Sequence, residues 1–365
     1  MIKMQTGDPD FATHPNIIRA AHQAMLVGET KYCDSRGLSA LRDALSDKLA
    51  AENSISVSAT ENILISHGAV HGIGMAIRAL INPGDEVIIQ EPFWRAYQAD
   101  VILAGGVPVI VQARSESGFQ LEAERLLERI SPRTKAILIN TPNNPSGAVY
   151  SQQELAKLAI AAAARGIYLI SDEVYESIIF GDNSHYSIAS DPSVFDWTVT
   201  AFSFSKTHAM TGWRIGYVVA SKIIIDEILK LSQYSITSLS PFSQLAALAA
   251  LKDADARDYS INMRTEYQRR RDKIVDAISG TWLEKSMTSP NGTFYGLIDA
   301  SRFNMPSLEL AKQILNFSNV SFTPGIAFGD AMDSYLRMCF ASSQDNIDQA
   351  IEALIKFERM MTNEM

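Results

Sequence analysis

Between residues 39 and 220 the spacing of apolar positions changes repeatedly from one period to another. SALRDALSDKLAAE (39–52) has helical spacing and opens on a serine, which reads as a capped helix. Short solid apolar runs follow, each bounded by turn residues. They are ILIS (63–66), the end of NPGDEVIIQ (82–90), PVIVQA (108–113), KAILIN (135–140), IYLISDE (167–173), TVTAFSF (198–204) and IGYVVA (215–220). A run without polar alternation fits a strand covered on both faces. Helical stretches such as QQELAKLAIAAAA (152–164) lie between several of them. This alternation predicts an α/β fold with a mostly parallel sheet flanked by helices.

The texture changes near residue 262. A long charged helix, NMRTEYQRRRDKIVDAIS, leads into TFYGLID, a helix, VSFTPG, YLRMCFA and a final helix from about 344. These predict a smaller α+β domain. The first thirty or so residues are too few for a domain of their own and are expected to pack on the smaller one. The expected division is 30–262 for the large domain, with 1–29 and 263–365 forming the small one.

Composition narrows the function. The 365 residues are 47% hydrophobic and 20% charged, which suits a large core and two domains. A net charge of -9 disfavours nucleic acid or an anionic membrane as partner, because phosphate binding needs clustered cations. The one basic run, Arg269-Arg270-Arg271, reads as a solvated helix face. The charge-free stretch 231–251 carries Ser, Thr, Gln and a central Pro, so it reads as a buried wall of the site followed by a helix, not a membrane span. Cys33 and Cys339 form no CxxC spacing, and no signal peptide opens the chain, so a reducing, cytoplasmic setting is expected. His67 and His71 stand four apart near one helix start. They lack a third ligand, so no metal is expected, and His71 is expected to line a pocket instead.

The candidate chemistry follows the strand ends, where open α/β sheets bind ligands. After ILIS comes His67-Gly68-Ala69-Val70; after VIIQ, Glu91-Pro92-Phe93-Trp94; after AILIN, TPNNPSG (141–147); after YLIS, Asp172-Glu173-Val174-Tyr175; after TAFSF, Ser205-Lys206. These supply a helix N-terminus, an aromatic plate, a polar turn, a carboxylate with a phenol, and an amine. The set suits pyridoxal 5'-phosphate. The aldehyde needs a lysine, the phosphate needs backbone N–H groups, hydroxyls and an arginine, and the ring nitrogen needs a carboxylate.

SFSKTHAMTGWRIGY, with TPNNPSG, SDEVY, YLRMCFA, QTGDPDF and KYCDSRGLSALRDAL, resembles the class I aminotransferases of pyridoxal-phosphate fold type I, over nearly the whole chain and in family order. The resemblance implies a large domain with a seven-stranded sheet, a small domain built from both termini, and a homodimer with shared active sites. It implies transfer of an amino group from an L-amino acid to a 2-oxo acid by a ping-pong route through a Lys206 Schiff base. The alternative is a same-fold elimination, oxidation or cyclisation. A regulator of this fold would need a basic winged-helix segment, for which the sequence leaves no room before residue 7. The arm that commonly precedes GDPDF is largely absent, which makes a more open pocket possible.

Site roles follow from the same resemblance. Lys206 carries the cofactor and moves the proton. Asp172 faces the ring nitrogen, and Tyr175 and Asn144 face the phenolic oxygen. Ser203, Ser205, Arg214 and the N–H groups of Gly68 and Ala69 hold the phosphate, joined by Tyr32 from the other subunit. Ala69 stands where the family often has a hydroxyl, and Ser146 where it usually has threonine. Trp94 stacks on the ring. Arg337 and Gly7 meet the substrate α-carboxylate, beside Asn144 and Trp94. Plainer roles exist for some: a helix cap for Asp172, a turn residue for Asn144, core aromatics for Tyr32 and Trp94. Val70 replaces a lysine found in some aspartate-using members, and 231–251 contains no Arg or Lys. A preference for neutral, aromatic or aliphatic side chains is therefore expected, unless Arg95 points inward.

Overall fold

The structure is a computed structural model that describes residues 1–363. Its strands are β1 (Ile2–Lys3), β2 (Ile63–Ser66), β3 (Glu86–Glu91), β4 (Val107–Gln112), β5 (Thr134–Asn140), β6 (Tyr168–Asp172), β7 (Thr198–Ser203), β8 (Gly216–Val219), β9 (Tyr295–Asp299), β10 (Val320–Ser321), β11 (Thr323–Pro324) and β12 (Tyr335–Cys339). Seven of them form one sheet in the order β2-β8-β7-β6-β5-β3-β4. The pairs from β4 through β7 are parallel, while β8 runs antiparallel to both β7 and β2. The expected mostly parallel sheet is present.

The solid apolar runs have a simple cause. Val87, Ile89, Leu138 and Ile170 share a core with Ile73 and Ile77 of the helix Gly68–Leu80 and Ile228 of the helix Lys222–Ile236. Their neighbours Ile88, Ile137, Ile139 and Leu169 share another with Leu155 and Leu158 of the helix Gln152–Ala163. Successive residues face opposite sides of a strand, and both sides are covered by helices.

A second unit holds the antiparallel sheet β11-β12-β9 and the parallel pair β1-β10. Met263, Tyr267 and Ile274 of the helix Ala254–Ile278 pack there with Met4, Leu336, Ile347 and Leu354. That helix runs unbroken through residue 262. The first residues divide: Met4 and Phe11 join this unit, whereas Ile17 and Ala21 of the helix Pro15–Leu26 pack with Leu41, Leu45 and Ala246 of the larger one.

Three local expectations are corrected. Ser39 is the first helical residue and caps nothing; Leu38 precedes it, and Gln244 Oε1 accepts the Leu38 N–H at 2.7 Å. The basic run is not wholly solvated. Arg270 is buried and donates to Asp10 Oδ1 at 2.8 Å and Glu266 Oε1 at 2.9 Å. Residues 231–236 and 241–251 lie in two helices, Lys222–Ile236 and Pro241–Lys252, joined by 237–240, and none of them lines the catalytic cavity of this chain. No described helix is long and apolar enough to cross a membrane.

Candidate active site

A cavity of about 350 Å³ opens at the carboxyl ends of β5, β6 and β7 and reaches across to β12. Gly7, Ala69, Trp94, Asn144, Asp172, Tyr175, Ser203, Ser205, Lys206, Arg214 and Arg337 all line it. Gly68 lies just behind, at φ +74°. A Cβ built on it would sit 2.4 Å from Arg214 Nη2, so a residue without a side chain is needed for that approach. Tyr32 is not part of this cavity. It is 85% exposed, beside Ser238 and Pro241, and a single chain does not bring it to Lys206.

Lys206 is held by a four-residue helical turn, Phe204–Thr207, that follows β7 directly. Ser203 Oγ caps the turn, accepting the Ser205 N–H at 3.1 Å. The Lys206 amine donates to the Gly7 carbonyl at 2.7 Å. Burial pulls its pKa down to about 8, against the pull of Asp8. A neutral amine is thus within reach near physiological pH.

The anion end is made of donors. The helix Gly68–Leu80 has no side-chain cap, so its first N–H groups are free to meet a ligand. Arg214 makes one side-chain hydrogen bond among the described residues, from Nη1 to the Thr211 carbonyl at 2.8 Å, and that partner is not a carboxylate. Ser203 and Ser205 stand beside it. His71 does not line this cavity. The described residues contain no group of three or more His, Cys, Asp or Glu placed to hold a metal ion.

At the other end Asp172 closes β6, buried, where burial pushes its carboxyl pKa up to about 6. The Tyr97 hydroxyl donates to Asp172 Oδ2 at 2.6 Å and opposes that shift. Tyr97 was not foreseen. It lies three residues past Trp94 at the start of a helix, so the two can share a face, and their rings meet edge-on at 5.6 Å. Tyr97→Phe is expected to weaken cofactor binding about tenfold, the scale of one hydrogen bond to a charged group. An absorbance titration of the cofactor-free protein measures it.

The remaining wall comes from the smaller unit. Arg337 lies on β12, buried, with its guanidinium stacked 4.2 Å from the Tyr295 ring and 4.9 Å from that of Phe328. Its Nη1 donates to Asn144 Oδ1 at 3.0 Å and its Nη2 to the Gln5 carbonyl at 2.7 Å, while Nε is buried without a partner. This leaves the Asn144 amide N–H₂ free to donate into the cavity. The Tyr175 hydroxyl meets that of Tyr295 at 2.8 Å. Tyr295, within the stretch TFYGLID, was also missed. A Cβ on Gly7 would sit 2.2 Å from its hydroxyl, so glycine is required there too.

A donor-lined pocket, an amine and a buried carboxylate thus share one cavity, and the carboxylate is met by the Tyr97 hydroxyl and the Val174 N–H without an ion pair to a described cation. Pyridoxal phosphate brings an anion for the first, an aldehyde for the second and a ring N–H for the third, so these residues fit it. The site and the topology define a pyridoxal-phosphate enzyme of the fold-type I class. The chain belongs to the class I and II aminotransferases: the model of that family, "Aminotransferase class I and II", matches residues 1–354. It is 38% identical over 360 residues to a probable aspartate/prephenate aminotransferase of Aquifex aeolicus, covering 98% of this chain and 90% of the relative. An aspartate aminotransferase of Pyrococcus abyssi is 36% identical over 359 residues, 98% of this chain and 92% of its own. The solved aromatic aminotransferase of Pyrococcus horikoshii OT3 superposes with a TM-score of 0.95 at 36% identity, covering 99% of this chain and 96% of its own. The protein is a pyridoxal-phosphate-dependent aminotransferase that uses an amino acid and a 2-oxo acid.

Proposed function

We propose that the enzyme works by a ping-pong route and prefers amino acids with neutral, aromatic or aliphatic side chains. Bound in the cavity, the cofactor supplies an aldehyde for the amino group and a ring that draws electrons from the bond broken at Cα. Lys206 would hold the cofactor through its aldehyde. The lysine amine would also serve as the base that takes the proton from the substrate Cα. Asp172 would keep the ring nitrogen protonated, and Tyr175 and Asn144 would donate to the phenolic oxygen. Gly68, Ala69, Ser203, Ser205 and Arg214 would hold the phosphate, and Trp94 would cover the ring. Arg337 takes the α-carboxylate through its planar fork, beside Gly7 and Asn144. Relatives named as aminotransferases do not favour elimination, oxidation or cyclisation.

The observation that carries the side-chain preference is the direction of Arg95. Its guanidinium turns out of the site to Gln98, the Ile326 carbonyl and Asp330. The cations that line the cavity are Lys206, Arg214 and Arg337, each with a role above, and Val70 lines it as well. Among the described residues no cation in the cavity is left for a second carboxylate. Aspartate, in the names of two relatives, is the competing donor. Single-turnover conversion of the cofactor to its amine form is expected to be faster with phenylalanine, methionine or alanine than with aspartate or glutamate. Rates well above the others for the two acidic donors would reject the preference.

We also propose a cytoplasmic homodimer in which Tyr32 reaches the partner's phosphate site. Its 85% exposure, with Tyr234 at 94%, supports an apolar face that a second copy covers. The two-domain division, 30–262 against both ends of the chain, is proposed in the same sense, except that the helix Pro15–Leu26 packs on the larger unit and the helix Ala254–Ile278 bridges the two.

A further inference from the structure

The turn that carries Trp94 is fastened to the loop behind Arg337. The Phe93 N–H donates to the Phe328 carbonyl at 3.0 Å. Arg95 reaches the same loop twice, through Nη2 to the Ile326 carbonyl at 2.8 Å and to Asp330 Oδ1 at 2.7 Å. Its Nη1 is fixed at home by Gln98 Oε1 at 2.8 Å. From below, the buried Glu91 carboxylate accepts the Ala331 N–H at 3.2 Å. The loop in turn places Phe328, whose ring lies 4.9 Å from the Arg337 guanidinium. One end of this linkage bears the indole over the cavity, and the other backs its carboxylate-binding wall.

We propose that Arg95 is a positioning residue for substrate: it ties the Trp94 turn to the Gly325–Met332 loop, so that Trp94 and Arg337 stay at one separation. A substrate held by its carboxylate on Arg337 and by its side chain near Trp94 spans the two units, and its binding depends on that separation. The inference rests on the proposed carboxylate role of Arg337. Arg95 is a cation beside the active site that serves the substrate without touching it. Its partners point to this role: a backbone carbonyl and a carboxylate on a loop of the opposite unit, both met by Nη2, while Nη1 holds Gln98 on its own side. The Asp330 carboxylate is largely exposed, so salt should screen this arm of the tie.

The test uses the holoenzyme and 3-phenylpropanoate, an unreactive carboxylate with an aromatic tail, followed by cofactor absorbance. Arg95→Met and Asp330→Asn are each expected to raise its Kd and the KM of an aromatic 2-oxo acid about fivefold, with kcat changed by less than about twofold. The double variant should match the Arg95→Met single, because the two side chains form one interaction. The loss in Asp330→Asn relative to wild type should shrink at high salt. Arg337→Lys is the control for the underlying reading. If Arg337→Lys weakens the ligand and Arg95→Met leaves its Kd unchanged, the positioning role is overturned. A fall in melting temperature and kcat in Arg95→Met, with the ligand Kd unmoved, likewise overturns it, since that is the mark of a structural residue. If Arg337→Lys itself has no effect on ligand binding, the carboxylate role falls, and the positioning role falls with it.

Discussion

Replacing Lys206 by alanine is expected to lower kcat/KM for transamination by at least about 10⁴-fold, because the covalent anchor and the proton carrier are lost together. No other described amine lines the cavity, and the neighbouring cations are guanidiniums that do not release protons at working pH. Borohydride treatment separates anchoring from mere binding. Wild-type protein should retain the cofactor covalently on Lys206, and Lys206→Ala protein should release it on denaturation. The same covalent adduct in Lys206→Ala would overturn the assignment. A second signature is thermodynamic. In the cofactor-free protein the buried amine has a pKa near 8, below its unfolded value of about 10.4. Between those values the unfolded chain binds more protons, so stability rises with pH. Below about pH 8 both states are protonated and the burial penalty is fully present. Relative to Lys206→Met, wild-type cofactor-free protein should therefore gain melting temperature between pH 8 and pH 10. A flat difference across that window would show that the amine is not desolvated.

How much of this was legible along the chain depended on how local each cause was. The strand ends were readable because solid apolar runs stop where polar or glycine residues begin, and the proposed chemistry sits at the stops: Asp172 after YLIS, Lys206 after TAFSF. Residue directions set by distant partners were not readable. Arg270 looks like its neighbours Arg269 and Arg271, yet consecutive helical residues lie about 100° apart, so one of three can face inward. Its partner Asp10 is 260 positions away. Arg95 follows Trp94 immediately but turns to a loop 235 positions on. Ser39 has the chemistry of a cap, but Gln244 from another helix takes the Leu38 N–H instead. Tyr97 was legible in principle from its place one helical turn past Trp94. What hid it was the purpose of a phenol there, which appears only when Asp172 is placed 2.6 Å away.

That contact leads to the second large effect, the loss expected on Asp172→Asn. The asparagine keeps the shape and can still accept from Tyr97, but it carries no charge to hold a proton on the ring nitrogen. The expected fall in kcat is about 10² to 10⁴-fold, the range for removing an electrostatic or proton-holding group from a water-poor site. Binding should weaken as well, and in a pH-dependent way that distinguishes the charge from the shape. In the cofactor-free protein burial holds the Asp172 carboxyl pKa at about 6, above its ordinary value of about 3.9. Below pH 6 the carboxyl is mostly protonated and must lose that proton before it can pair with a cationic ring. Wild-type affinity for the cofactor is therefore expected to fall as pH drops from 6 towards 4, by up to about tenfold per unit. Asp172→Asn has no such group to ionise, so its weaker affinity should vary less over the same window. Equilibrium titration of cofactor-free wild type and variant at several pH values decides the matter. Parallel curves for the two proteins would show that Asp172 does not carry the charge that holds the ring.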